Sequence, residues 1–399
     1  MHRRRFLHML GLGSLGFSFG GLVHGRHQAA DHSISLFLCG DVMSGRGIDQ
    51  ILPYSNRPQI HESYLKSARD YVAIAEAKSG PIPRQVPFDY IWGDALHELD
   101  HFNPDLRIVN LETAITSSER YWPHKGINYR MHPRNTPCLT AAKIDACVLA
   151  NNHVLDWGYE GLSETLASLE HHNIDFVGAG EDRRQAEAPL IFDIPGKGRV
   201  LLYAFAHYSS GVPLVWRAEK SRPGVALLKS LNSTEAKRLG AEISATKKRG
   251  DLVVVSIHWG GNWGYEIPAK QRSFAHELID HAGVDVIHGH SSHHPKGIEL
   301  YHGSAIIYGC GDFLNDYEGI GKYETFRDDL TLAYFLTLDP HSGSLIRLLM
   351  TPLKIRKFSL RYASKQDRAW LWQTMARECS QLETGVTELQ DGRFELELS

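Results

Sequence analysis

The 399-residue chain is 42% hydrophobic and 22% charged, with 43 Lys and Arg against 46 Asp and Glu, a formal net charge of −3. That balance excludes a disordered chain, a low-complexity fibre and a strongly basic nucleic-acid binder, and no internal repeat with a period of about 20–50 residues is present. The length allows one large core, or one domain with an appendage.

The N-terminal stretch MHRRRFLHMLGLGSLGFSFGGLVHGRHQAA sets Arg3, Arg4 and Arg5 before an apolar, Gly-rich run from Met9 to Val23. The run is short and Gly-rich for a membrane span, and Arg3-Arg4-Arg5-Phe6-Leu7 resembles a twin-arginine export signal. Residues 1–30 are therefore expected to be a cleavable leader that takes the protein to the periplasm or cell envelope, with Ala29 and Ala30 near the cut; an uncleaved membrane anchor is the other reading. Without those residues the chain has 39 basic and 46 acidic groups, net −7, which argues further against nucleic acid as a partner.

Next come short apolar runs that end in chemically capable residues. SISLFLCGD (33–41) reads as a buried strand ending at Asp41. Residues 57–93 are Pro-rich in part and read as an irregular excursion, followed by a helix in GDALHELDHF (93–102). DLRIVNLE (105–112) ends at Glu112, IDACVLANNH (144–153) at Asn151-Asn152-His153, DLVVVSIHW (251–259) near His258, VDVIHGH (284–290) at His288 and His290, and SAIIYGCGD (304–312) at Asp312. Helical patterns at 158–172, 233–250 and 269–283 separate the later runs. Continuous Val/Ile/Leu strands alternating with helices imply a layered α/β fold, in which ligands gather at the carboxyl ends of strands. From about residue 330 the pattern changes to paired strands, which we expect to close a second sheet, and a helix at about 365–381. The expected organisation is a leader (1–30), a main domain (31–340) and C-terminal strands and helix (341–399) that complete or extend it.

Five cysteines, Cys39, Cys138, Cys147, Cys310 and Cys379, include no CxxC, so neither a zinc ribbon nor a dense disulfide framework is expected. Cys39 and Cys310 read as buried small residues; a Cys138–Cys147 pair stays open.

Asp41, Glu112, Asn152-His153, His258 and His290-x-x-His293 combine carboxylate, amide and imidazole donors suited to a divalent cation such as Mn, Fe or Zn. A carboxylate such as Glu112 can bridge two such ions, which together clamp a phosphoryl group. The stretches GDVMSGRG (40–47), VNLETAIT (109–116), LANNHVLDWGYEGL (149–162), HWGGNWGYE (258–266), VDVIHGHSSHHPKGIE (284–299) and IIYGCGDF (306–313) resemble the CapA / poly-gamma-glutamate capsule-synthesis family, a branch of the calcineurin-like metallophosphoesterase superfamily.

The resemblance implies a two-sheet α/β sandwich flanked by helices, with one or two divalent ions at the strand ends. Asp41, Glu112, Asn152, His258, His290 and His293 would be ligands, Glu112 the bridging carboxylate and His153 the general acid or substrate contact. Arg46 is a further candidate, holding an anionic group or serving as a structural ion pair. Asp156 orients His153 or caps the next helix, and Trp259 and Trp263 wall the pocket or pack in the core. The superfamily's Asp-x-His is Asp41-Val42-Met43 here, its Gly-Asp-x-x-Asp is replaced around Glu112, and its final Gly-His-x-His is one residue longer, so one strong and one weak metal site are expected. The implied function is an exported metal-dependent hydrolase for phosphoesters of an anionic envelope or capsular substrate. The alternative is a non-hydrolytic component that binds anionic polymer beside membrane-bound capsule machinery.

Overall fold

The computed structural model describes residues 32–320 and 324–398, so the expected leader lies outside the described residues. Strands β1 (Ile34–Val42), β2 (Leu106–Leu111) and β3 (Ala146–Val148) run parallel in one sheet. Strands β4 (Gly198–Ala206), β5 (Asp251–His258), β6 (Val286–His290) and β7 (Ser304–Ile307) run parallel in a second. The chain then returns to the first sheet, where β8 (Leu330–Leu338) lies antiparallel to β1 and β9 (Leu345–Arg356) antiparallel to β8.

The two-residue side-chain period of a strand explains how the sheets meet. Val200, Leu202, Ala204 and Ala206 of β4, with Leu252 and Val254 of β5, join the core shared with β1 and β2. The intervening Leu201, Tyr203, Phe205, Val253, Val255 and Ile257 pack instead in a second core with helices Ser233–Thr246 and Ala269–Ala282. A run apolar at every position thus serves two cores at once. The same alternation turns Ser256, His258, His288 and His290 toward the first sheet: His288 Nε2 lies 2.8 Å from the carbonyl oxygen of Cys39 in β1, a direct tie between the sheets. The result is a two-sheet α/β sandwich with flanking helices.

Three local expectations change. Residues 57–93 contain the helix Ala68–Ser79, opened by a reciprocal Ser67–Asp70 capping box and held by buried Tyr71, Val72 and Ala75. The helix expected over 233–250 ends at Thr246, with the next three residues and Gly250 in the turn into β5. The paired C-terminal strands lengthen the sheet that contains β1 instead of closing another, because β1 offers its free edge to β8. All five cysteines are buried and unpaired. Among the described residues no helix is long and apolar enough to cross a membrane.

Candidate metal centre

The carboxyl ends of β1, β2, β3, β5 and β6 converge, and the buried polar residues lie there. Asp41, the penultimate residue of β1, is fully buried. One of its oxygens accepts from Asn110 Nδ2 at 2.7 Å, while Oδ2 has no hydrogen-bond partner among the described residues. Glu112 Oε2, just past β2, is likewise buried without a partner. Burial raises the pKa of both carboxyls. Buried carboxylate oxygens without a partner are costly, and imidazoles lie near the same two carboxylates: His290 Nδ1 is 4.0 Å from Asp41 Oδ1, and His153 Nε2 is 3.6 Å from Glu112 Oε1.

Asp41 belongs to two clusters of close donor atoms, one with His258 and His290 and one with His293 and Asp312. In the first, the Nδ1 atoms of His258 and His290 approach to 2.7 Å. Burial holds both rings well below the ordinary imidazole pKa, so they are neutral donors. Their opposite nitrogens are engaged: His258 Nε2 lies 3.0 Å from Asn152 Oδ1, and His290 Nε2 lies 2.8 Å from Ser256 Oγ. Such contacts fix ring orientation and tautomer in metal sites. In the second cluster His293 Nδ1 sits 2.7 Å from Asp312 Oδ1, and Asn315 Nδ2 donates to Asp312 Oδ2 at 2.8 Å. Burial pulls the His293 pKa down, but the charge and hydrogen bond of Asp312, reinforced by Asp41 and Asp328, leave it raised.

The orphaned oxygens and the mixed carboxylate–imidazole set fit a divalent cation. Asp41 is common to both clusters and pairs in parallel register with Asp312, while Glu112 lies 3.6 and 3.9 Å from the Nε2 atoms of His153 and His258. Asn152 enters through His258. Ser291, between the two histidine pairs, takes a φ of 103°, a strained left-handed conformation costing on the order of 1–3 kcal/mol where the chain turns His293 back toward Asp41.

His153 stands beside this centre. Its Nδ1 lies 2.6 Å from Asp156 Oδ2, and because a carboxylate only accepts, Nδ1 carries the proton and Nε2 presents its lone pair. Burial pushes its pKa down to about 4, against the opposing pull of Asp156. Asp156 also accepts from Tyr129 N at 2.6 Å and pairs with Lys125 at 2.8 Å, so it orients His153 and does not cap the following helix. Lys125 escaped the sequence reading, and Asp312, noted there only as a strand end, was not placed among the ligands. Lys125 lies in a loop without periodicity, whereas Asp312 had a signal: Cys310-Gly311-Asp312 repeats Cys39-Gly40-Asp41.

The Arg46 guanidinium is engaged by buried neighbours. Its guanidinium pairs with Asp316 and with Glu62 (2.8 Å), bonds to Tyr71, and stacks on the rings of Tyr71 and Tyr129. It occupies the structural ion pair because two buried carboxylates need its charge. Tyr129 in turn packs edge-on against His153, with ring centroids 4.3 Å apart. Trp259 is a core residue donating to the Tyr308 carbonyl, while Trp263 stands 5.1 Å from the His293 ring and forms a wall. A cleft of about 790 Å³ adjoins the Asp312 side, with Asn315, Tyr317 and Asp328 in its lining.

This chain is similar to known proteins along most of its length. A probable polyglutamine synthesis accessory protein of Mycobacterium tuberculosis is 46% identical over 345 residues, 86% of this chain and 90% of its own. The PGA biosynthesis protein CapA of Bacillus subtilis is 25% identical over 92% of this chain and 83% of its own. A solved structure described as a novel phosphatase from Mycoplasma pneumoniae aligns with 81% of this chain and 94% of its own at 15% identity, with a TM-score of 0.47, too low to bear on chemistry. The family described as bacterial capsule synthesis protein PGA_cap matches residues 35–317, the span that holds every residue of the centre, and this chain belongs to that family.

Proposed function

We propose that the protein is a metal-dependent hydrolase of phosphoesters in an anionic envelope or capsular substrate, working after export. The observation that carries this reading is the pair of orphaned carboxylate oxygens on Asp41 and Glu112 among neutral imidazoles. Asp41, His258 and His290 would hold one ion and His293 and Asp312, sharing Asp41, a second, with Glu112 and Asn152 completing the set; Mn, Fe and Zn suit these donors. A divalent cation there supplies Lewis-acid charge to phosphoryl oxygens and acidifies water.

The chain's own residues do the rest. His153 Nε2, which faces Glu112, would take the proton of the water whose oxygen forms the new bond to phosphorus. Asp156, at 2.6 Å, stabilises the resulting imidazolium, which returns the proton to the leaving oxygen as the phosphorus–oxygen bond breaks. Asp156 and Lys125 hold the ring in place for that transfer, and the Arg46 cluster supports Tyr129 behind it.

The test is metal content per chain on protein purified without chelator, beside Glu112→Ala, followed by a phosphoester screen. One or two equivalents that fall in the variant, with turnover lost alongside, support the hydrolase. Failure to take up metal on reconstitution defeats it. The names of the relatives favour a second reading, in which the same centre binds carboxylates of an anionic polymer and a membrane-bound partner performs the synthesis. Metal-dependent polymer binding without phosphoester turnover distinguishes it.

A further inference from the structure

Three of the four most exposed large apolar side chains among the described residues fall in one short stretch: Tyr208 (56% exposed), Leu214 (63%) and Val215 (55%). The stretch is firmly anchored. His207 N donates to the His258 carbonyl at 2.9 Å and Ser210 Oγ to the same oxygen at 3.0 Å. At the far end Ala218 N donates to the Val225 carbonyl, and the turn closes through Trp216 N to the Pro213 carbonyl at 2.9 Å. Trp216 itself is buried, edge-on to Trp122 at 5.4 Å between centroids. An inward Trp directly after two outward aliphatics makes Leu214 and Val215 a fixed projection.

That projection borders the metal centre. A side-chain carbon at Gly211 would lie 3.7 Å from Asn152 Nδ2. Lys125 Nζ lies 5.6 Å from the centre of the Trp216 ring and 3.1 Å from His153 Nδ1. The stretch is therefore an apolar rim beside a polar centre of carboxylates and imidazoles, with Asn152 and Lys125 among them.

We infer that the rim receives the apolar chain of an amphiphilic phosphoester whose phosphate enters the metal centre; this rests on the phosphoester reading above. A hydrocarbon chain has no place among the charged groups of the centre, and each methylene it takes out of water against the rim adds affinity. The rim's backbone bonds to the His258 carbonyl make it continuous with the catalytic residues, which favours substrate over a separate protein partner as its occupant.

The test is calorimetric binding of n-decyl phosphate and ethyl phosphate to the metal-loaded protein, below the micelle concentration of the longer probe. Decyl phosphate binds about tenfold tighter or more. Leu214→Asp combined with Val215→Asp brings the ratio close to one, and Leu214→Ser with Val215→Ser lowers it less severely. Ile346→Asp, an exposed position on β9 of the other sheet, keeps the wild-type ratio. Equal affinities in the wild type, or a ratio untouched by the Leu214 and Val215 variants, overturns the rim's role and leaves the phosphoester reading standing. Binding of neither phosphate removes both.

Discussion

The two halves of the candidate metal centre share Asp41 and use the same residue types, yet they differ in how much a cation would have to undo. On the His258–His290 side the rings are neutral, their outer nitrogens are held by Asn152 and Ser256, and Asp41 Oδ2 has no partner. On the His293–Asp312 side the charges already satisfy each other across 2.7 Å, and Asn315 fills another lone pair of Asp312. Metal ligands must be deprotonated and free, so the first half gives up only the neutral contact between the His258 and His290 Nδ1 atoms, while the second must lose a proton and break an ion pair. Donor identity alone does not set affinity; the prior commitments of each donor do.

The comparison can be broken most severely at the shared residue. Asp41→Asn should empty both halves and abolish turnover, read by elemental analysis and a phosphoester assay; metal retained at one equivalent would show that the halves are independent. His153→Ala should lower turnover roughly 10²–10⁴-fold with metal content unchanged, and loss of metal would make His153 a ligand instead. A smaller, more diagnostic contrast lies between His258→Ala and His293→Ala. The first should remove the tightly held ion and the second only the ion lost on brief dialysis, and the reverse order would overturn the asymmetry.

The mildest effect is on acid stability of the metal-free protein. The His288 pKa is pulled down to about 4 by burial, from an ordinary value of about 6.5. Below pH 6.5 the unfolded chain binds a proton that the folded chain refuses, so stability falls as pH drops through 6.5 toward 4, by on the order of 2–3 kcal/mol for a buried group. His293 has the opposite sign: its raised pKa contributes stability in acid that is lost as pH rises through its folded value. Urea midpoints across pH 4–7 should therefore flatten in His288→Gln and steepen in His293→Gln.

Much of this architecture was legible because strand periodicity and strand-end chemistry are local properties. Runs such as DLVVVSIH and VDVIHGH announced buried strands, and the rule that ligands gather at carboxyl ends led to Asp41, His258 and His290, which the fold brings together. What escaped depends on long-range placement. That Asp41 is common to both clusters turns on β1 pairing with residues 312–314, a register in which Asp41 meets Asp312, 271 positions away. The partners of Arg46 come from Glu62 and Asp316, on segments with no periodicity linking them. The helix at 68–79 was readable from Ser67 and Asp70, but the Pro-rich surroundings obscured it.

Gly40 and Gly311 carry a last consequence. Asp41 N donates to the Gly311 carbonyl at 3.0 Å, and a side-chain carbon at residue 40 would fall 1.6 Å from that oxygen. The gap between Asp41 and Asp312 is thus a dimension of the main chain, as stiff as the sheet that sets it. Divergent relatives cannot retune ion preference by respacing these two carboxylates without dismantling β1. Variation is channelled into the loop that carries Ser291 and His293, which makes that loop the place to look for, or to engineer, a change of metal.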